Sequence, residues 1–509
     1  MKFSVFALFL LVTSCYVARA EEGGEMRTVL LHLDRLEIAR VHLEAGHPGT
    51  VAEMTGLLRS AEQKLSVGPF TVVFNDSIAT SGDPHDIVST GPYWWPNPDT
   101  PDGLPWVSTD GHINPNANLD WDEYIGLGRA TEALMLAYYF TGDERFAEHT
   151  ANLMRTWFID PETRMNPRDE YSNVIPGIQA GTFNAPGLAG LIFNRNMLDS
   201  LAMLEASPHW SNEDKVAAQN WFRDFRTWAA DSAAAKYQFG SPTNHGTSFD
   251  LAFAAIGIYV EDPEFTAENV EHYIYNRFPL QINADGSNPN EIIRANNMYY
   301  HRSNLEQMLA IAELGRLADS VDFATYEMED GRSPRLALDF LIPYWTSEKE
   351  WTFWPDEVFP KEPYFYFLAL RQAAAYFGDP RLLDAADSLG LTYTPGRYAN
   401  MLYPEQYVLD QVWAGDANVD SIFDSADLVV VFRSGKYETG EEAGWDEGDW
   451  NRDGKFDSAD LTLAFAQAGY EAGSRQASVI VVPEPQALPG VCLCFLYLVS
   501  LFRRQNVLG

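Results

Sequence analysis

The chain is 509 residues long, 46% hydrophobic and 13% aromatic, enough apolar material for one large core plus a small satellite module, which excludes disorder throughout. Its 72 Asp and Glu against 35 Lys and Arg give a formal charge of −37, and because phosphate contacts need a basic footprint this argues against a nucleic-acid partner. The three cysteines, Cys15, Cys492 and Cys494, lie in apolar segments near the two ends, so disulfide and thiol chemistry are excluded from the globular body.

At the N-terminus, Met1-Lys2, an apolar run from Phe3 to Val17 and the small-residue sequence Ala18-Arg19-Ala20 read as a secretory signal over residues 1–20. A rival reading takes Val12-Thr13-Ser14-Cys15 as a lipoprotein box that would lipidate Cys15. From about Thr28 to Asp387 most segments read as helices of ordinary length. Phe146, Leu153, Met154, Trp157 and Phe158 keep one helical face apolar, as do Phe249, Phe253, Ile256 and Val260. Strand-like alternation is scarce, and Thr71 to Phe74 is its best candidate. Three corners share one design: Tyr139 to Asp143, Tyr259 to Pro263 and Tyr376 to Pro380 each end a helix on apolar residues and turn on Gly, Asp or Pro. Repeated helical hairpins without a strict period predict a mainly α chain built as an (α/α) toroid.

Between Asp83 and Asn118 the sequence is irregular, rich in Pro, Gly, Asn and Asp, yet it carries Tyr93, Trp94, Trp95 and Trp106. Loops of this length are functional or disordered, and clustered tryptophans argue for the former; such rings stack on sugar faces or plug one end of a helical body. Further on, Ser241-Pro-Thr-Asn244-His245-Gly246-Thr247 precedes an apolar helix expected to begin near Phe249, with Thr247 and Asp250 spaced as a capping pair. Asn244 and His245 then stand beside a positive helix end, a place to hold a carboxylate or simply to cap the helix. A second group runs from Gln281 through Asp285, Glu291 and Arg294 to Tyr299, Tyr300 and Asn304. Arg294 and Tyr300 are six apart, so a bend between them is needed before they converge.

Near the C-terminus, Asp416, Asn418, Asp420, Asp424 and Asp427 are repeated 33 residues later by Asp449, Asn451, Asp453, Asp457 and Asp460. Oxygen donors at loop positions 1, 3, 5, 9 and 12 are what a cation of calcium size takes. The pair resembles a dockerin module over about 412–473, which implies bound Ca2+ and a cohesin-like partner; Ser421 replaces the usual Gly of the first loop, while the second keeps Gly454. Residues 396–411 read as a linker. Val482-Pro483-Glu484-Pro485 and the apolar stretch to Phe502 resemble the Pro-Glu-Pro C-terminal sorting signals of bacteria, and the alternative is a short membrane anchor; either way 479–509 is an address that attaches the protein to a membrane or cell surface.

Taken in order, Ser81-Gly82-Asp83 with His85-Asp86, Gly91-Pro-Tyr-Trp-Trp-Pro96, Pro101-Asp-Gly-Leu-Pro105, Thr163-Arg-Met-Asn-Pro167, Ile175-Pro-Gly177, Asn244-His-Gly-Thr247 and the Asp285-to-Tyr300 segment resemble the alginate lyase family of polysaccharide lyases. The resemblance implies a toroid over about 24–395 and β-elimination on a uronate polymer, with no cofactor for catalysis. It carries catalytic roles to Asn244, His245, Arg294 and Tyr300, and substrate contacts to His85, Tyr93, Trp94, Trp95 and Tyr299. Where many relatives have Gly-Arg-Gly, this chain reads Gly181-Thr-Phe-Asn-Ala-Pro-Gly187, without that cation. On this reading Asn244 and His245 donate to the developing enolate, Arg294 adds fixed positive charge and depresses the Tyr300 pKa, and Tyr300 or His245 takes the C5 proton. A glycoside hydrolase using two carboxylates and a non-catalytic polysaccharide-binding scaffold protein are the alternatives.

Overall fold

The computed structural model describes residues 25–74, 79–116, 121–178, 196–353 and 363–475; the segments read as signal peptide and sorting signal, and the 181–187 departure, lie outside them. The helices used below are α1 (Leu33–Ala45), α2 (Pro48–Lys64), α3 (Trp121–Thr141), α4 (Glu144–Phe158), α5 (Asn196–Leu204), α6 (Asn212–Asp231), α7 (Ala233–Phe239), α8 (Asn244–Tyr259), α9 (Pro263–His272), α10 (Asn297–Leu317), α11 (Pro334–Trp345), α12 (Pro363–Phe377), α13 (Arg381–Asp387), α14 (Ala399–Leu402), α15 (Glu405–Leu409), α16 (Ser425–Ser434) and α17 (Ser458–Ala466). The three corners fold as the sequence predicts. Asp143 caps α4 by accepting from Arg145 N, and Asp262 caps α9 by accepting from Phe265 N. Phe146, Leu153, Met154, Trp157 and Phe158 are buried along α4.

These hairpins form a ring. α3 packs on α5, α5 on α8, α8 on α10, and α10 on α12, with α4, α6, α9 and α11 flanking them. The ring closes through the stretch read from sequence as a linker: α14 packs on α1 and α2, and α15 on α1 and α12. Residues 396–411 are therefore part of the helical body. Their contacts are specific, because the buried Glu53 carboxylate of α2 accepts from Thr394 N (3.0 Å), Asn400 N (2.9 Å), Asn400 Nδ2 (3.0 Å) and Met401 N (3.2 Å). Arg35 of α1 works on the same seam. Its guanidinium meets Glu313 of α10 at 2.5 Å and lies 5.3 and 4.6 Å from the rings of Tyr403 and Tyr407. Burial alone would raise the Glu313 pKa, but the Arg35 charge, with His32, holds it at about 2. The linker reading does not hold, because a short, Pro- and Tyr-bearing stretch has no periodicity and its burial comes from distant partners.

Thr71 to Phe74 is a turn, not a strand. The strand pairing instead lies in the aromatic loop, where Trp94–Trp95 pair antiparallel with Val107–Ser108.

The C-terminal repeat has its own small core around Phe423, Val431, Trp445, Trp450 and Phe456. Its two loops share one backbone: Ser421 and Gly454 take φ of 74° and 87°, and Val419 and Arg452 both take 59°. In each, the first carboxylate accepts from the fifth and sixth residues and the last from the second and third, as Asp416 and Asp427 do in one loop and Asp449 and Asp460 in the other. Entry and exit are clasped. Trp413 Nε1 donates to Gly473 O at 3.0 Å, Arg475 Nη1 to Val412 O, and Phe423 bridges Tyr470. Against the ring, Arg452 reaches Asp384 (2.6 Å) and Asp387, and Trp445 N donates to Asp384 (2.7 Å).

Candidate active site

Helix α8 begins at Asn244, five residues before the expected start, so Asn244 and His245 are its first two residues and Thr243, not Thr247, is its cap. Every early amide of this helix end is taken. Asn244 N donates to Glu291 Oε1 (2.6 Å), His245 N to the Thr243 hydroxyl (3.3 Å), and Gly246 N and Thr247 N to Thr243 O. The helix end therefore does not receive a substrate carboxylate through its backbone; the Asn244 amide group and the His245 ring are what it presents. Asn244 is buried, yet its Oδ1 has no hydrogen-bond partner. Gly246 is required here because a Cβ would collide with the Arg277 guanidinium and the Ser241 carbonyl oxygen. Arg277 is in turn locked to buried Asp250 at 2.6 Å. Thr247 Oγ1 donates to Asn304 Oδ1 (2.7 Å) and receives from Gln281 Nε2 (2.8 Å), tying α8 to α10.

The expected bend between Arg294 and Tyr300 is present. Asn296 takes φ 60°, α10 starts at Asn297, and the Arg294 guanidinium lies 4.2 Å from the centre of the Tyr300 ring. The Tyr300 hydroxyl is 2.8 Å from that of Tyr93. Glu291, fully buried, joins the two motifs: one oxygen holds Asn244 N, and the other lies 3.7 Å from Arg294 Nη1. The Asn–His and Arg–Tyr motifs thus converge on one site.

Electrostatics corrects one expectation. Burial, reinforced by Tyr93, raises the Tyr300 pKa above the ordinary phenol range, and the opposing charge of Arg294 does not offset it. Arg294 faces the ring, not the hydroxyl, and its charge is shared with Asp110, so Tyr300 is a protonated acid in the free protein. His245 is uncharged at neutral pH, since burial and then the Arg294 charge lower its pKa to about 4. Its ring has no hydrogen-bond partner among the described residues, which leaves it available to a substrate.

The remaining sequence-predicted residues divide. Tyr93 joins the site through Tyr300, and Tyr299, exposed, packs its ring edge-on at 5.3 Å from Tyr300. Trp94 and Trp95 form the strand of the aromatic loop, half-buried, with the Trp95 indole N–H donating to His112 O at 3.0 Å. His85 belongs to a clasp instead: its Nδ1 is 2.7 Å from Arg164 O, while neighbouring Asp86, buried, accepts from Arg168 (2.5 and 2.7 Å), Ser81 (2.6 Å) and Asn166 (2.9 Å). The Ser81-to-Asp86 and Thr163-to-Pro167 motifs occur together because they are two halves of that clasp.

The site also contains Asp110, which no motif marks in the sequence. It accepts from Arg294 Nε (2.9 Å), Arg294 Nη2 (2.7 Å) and Ala295 N (3.1 Å). Burial would raise its pKa, but these bonds and the Arg294 charge hold it below the usual carboxylate value. A lone Asp in an irregular loop carries no sequence signal. Among the described residues, the two acidic loops of the C-terminal repeat included, no three His, Cys, Asp or Glu side chains converge as a metal cluster; in those loops the first and last carboxylates are taken by backbone amides, so a cation there would have to draw them together.

The sequence pattern of the alginate lyase family matches residues 74–351, more than half of the chain. The chain belongs to the alginate lyase family. Among solved structures, it is similar to an alginate lyase from Bacteroides ovatus, with 28% identity and a TM-score of 0.69 over 74% of this chain and 99% of that one. It is also similar to alginate lyase A1-III from Sphingomonas species A1 (15%, TM-score 0.45, 68% and 94% covered). A variant of A1-III complexed with a tetrasaccharide gives 16%, a TM-score of 0.47 and coverage of 72% and 93%. No curated protein matches the chain. The match to the first of these, over nearly its whole length, agrees with the helical toroid.

Proposed function

We propose that the protein is a polysaccharide lyase that cleaves a uronate polymer, alginate or a related polyuronate, by β-elimination. The observation that carries this reading is the convergence of Asn244 and its neighbour His245 with Arg294 and Tyr300, Glu291 bridging Asn244 to Arg294 and Arg294 lying on the Tyr300 ring. Removing the C5 proton of a uronate builds enolate charge on a carboxylate that is already anionic, so the donors that meet it must be fixed in advance. The Asn244 side chain supplies one such donor, and Arg294 a positive charge beside it. Where the C5 proton and O4 lie on opposite faces, neutral His245 takes the proton and the protonated phenol of Tyr300 gives its own to the departing O4. Where they share a face, the Tyr300 phenolate, formed by loss of its proton to water, takes the C5 proton and returns it to the departing O4.

The carboxylates closest to this site do not form a hydrolase pair: Asp110 is bound to Arg294, and Glu291 is buried against Asn244. Incubation with a panel of mannuronate, guluronate and glucuronate polymers tests the reading. An unsaturated product that absorbs in the ultraviolet supports it, a saturated reducing end selects a hydrolase, and binding without cleavage selects a scaffold protein.

The same proposal extends to the ends of the chain. Residues 1–20 direct export, residues 479–509 attach the protein to the cell surface, and the C-terminal repeat binds Ca2+ and docks a cohesin-like partner. Burial and neighbouring carboxylates raise Asp416 and Asp449 to about 6, a crowding that a hard cation relieves. Ser421 occupies a left-handed backbone position that Gly454 adopts at no steric cost. In calcium titrations by calorimetry, Asp449→Ala is therefore expected to cost more affinity than Asp416→Ala; equal losses would assign Ser421 no effect. Elimination by the separated ring in chelator is expected to proceed normally, and a loss that calcium restores would place metal in the reaction.

A further inference from the structure

We propose that Asp110 is the positioning residue for the arginine of the elimination site: reaching in from the aromatic loop, it aims the Arg294 guanidinium at the face of Tyr300. The inference rests on the elimination reading above. Asp110 takes Arg294 in a two-pronged grip at 2.9 and 2.7 Å, and a guanidinium held by such a fork has its plane fixed as well as its distance. Asp110 is itself fixed on the bend that carries Arg294, because it also accepts from Ala295 N at 3.1 Å. The next residue shows how closely the two chain segments meet. Gly111 takes φ 77°, and a Cβ there would come within 2.8 Å of Asn296 Nδ2 and 3.0 Å of the Ala295 Cβ.

The loop that delivers Asp110 is braced as one unit with Tyr93. Thr109 N donates to Tyr93 O (2.8 Å), Asn114 N to Pro92 O (2.7 Å), and Asn114 Nδ2 to Trp94 O (2.9 Å). One seating of the loop therefore sets both the Tyr93–Tyr300 hydroxyl pair and the Arg294–Tyr300 stack. Without Asp110, the other carboxylate near Arg294 is Glu291, already 3.7 Å from Nη1. A guanidinium that swings to Glu291 leaves the Tyr300 face and pulls on the group that holds Asn244 N.

A purely structural ion pair would act through stability, and a side chain as exposed as Asp110, at 37%, contributes little to that. The test is Asp110→Asn, which keeps shape and removes charge, assayed on a uronate polymer by product absorbance. Expected is a fall in kcat of about ten- to a hundredfold with KM within about threefold and an unchanged melting temperature, the scale of a misaimed catalytic group. Asp110→Glu should recover some of the lost rate. The double variant Asp110→Asn/Arg294→Lys should be no slower than Arg294→Lys alone, because the two residues act as one unit. Unchanged or faster turnover in Asp110→Asn, a loss confined to KM, or losses that multiply in the double variant would each overturn the inference. If wild-type protein yields no unsaturated product from any uronate polymer, the elimination reading fails and this inference with it; an active wild type with unimpaired Asp110→Asn overturns the inference alone.

Discussion

Tyr300→Phe is expected to lower kcat on a uronate polymer by at least about a hundredfold while the protein stays folded, and His245→Ala to do the same. Losses of this size are usual when a general acid or base is removed. Tyr300 packs in a ring stack with Arg294 and loses only its hydroxyl in Phe, so the effect on folding is confined to the Tyr93 hydrogen bond. The pH profile carries a second expectation. His245 is needed neutral; with its pKa near 4, that form is fully present above about pH 5 and is lost as pH falls through 4, so kcat/KM falls on the acid side there and not near the ordinary histidine value. Tyr300 is needed protonated for the opposite-face route. Because its pKa is raised, the alkaline loss falls above about pH 10, the ordinary phenol value. Near-normal turnover in folded Tyr300→Phe protein would remove the tyrosine from the mechanism, and an acid limb near 6.5 would mean that the half-buried His245 ring is not desolvated as its pKa requires.

The second large effect concerns the ring's closure. A chain that stops at 411 is expected to fold, whereas one that stops at 395 is expected to be insoluble or strongly destabilised. The shorter chain takes from Glu53 the donors of Asn400 and Met401, from Arg35 the rings of Tyr403 and Tyr407, and from Arg371 both the Tyr403 carbonyl and Glu405. Each buried charged group left short of partners costs on the order of 1–3 kcal/mol or more, so the sum is a large fraction of the roughly 5–15 kcal/mol by which a domain is stable. Thermal unfolding of the two forms decides the matter. Equal melting temperatures would mean that residues 396–411 merely lie on the surface.

Much of this site is legible in the sequence because its residues sit in short local motifs. Asn244-His-Gly-Thr247 places two polar groups beside a helix end, and the six-residue gap from Arg294 to Tyr300 demands the bend that Asn296 supplies. The three hairpin corners announce themselves through Gly, Asp and Pro. What stays illegible depends on partners far along the chain. Asp110 becomes meaningful only beside Arg294, 184 positions later, and Glu53 only beside Asn400 and Met401. The true start of α8 is hidden because the apolar pattern begins at Phe249, while the first turn is polar and is held by Thr243 and Glu291. The direction of the Tyr300 pKa is hidden too, because the sequence brings a cation near it but cannot tell that the cation faces the ring.

The clasp at the ends of the C-terminal repeat has a mechanical meaning. The chain enters this module at Val412 and leaves at Arg475 side by side, joined by the Trp413–Gly473 and Arg475–Val412 bonds. Tension applied to the residues beyond 475 is thus handed across the clasp to the ring, and the two acidic loops lie off the line of force. Those two bonds join the ends of the module ahead of Asp416 and Asp449, so they stand between a load on the exit strand and the acidic loops.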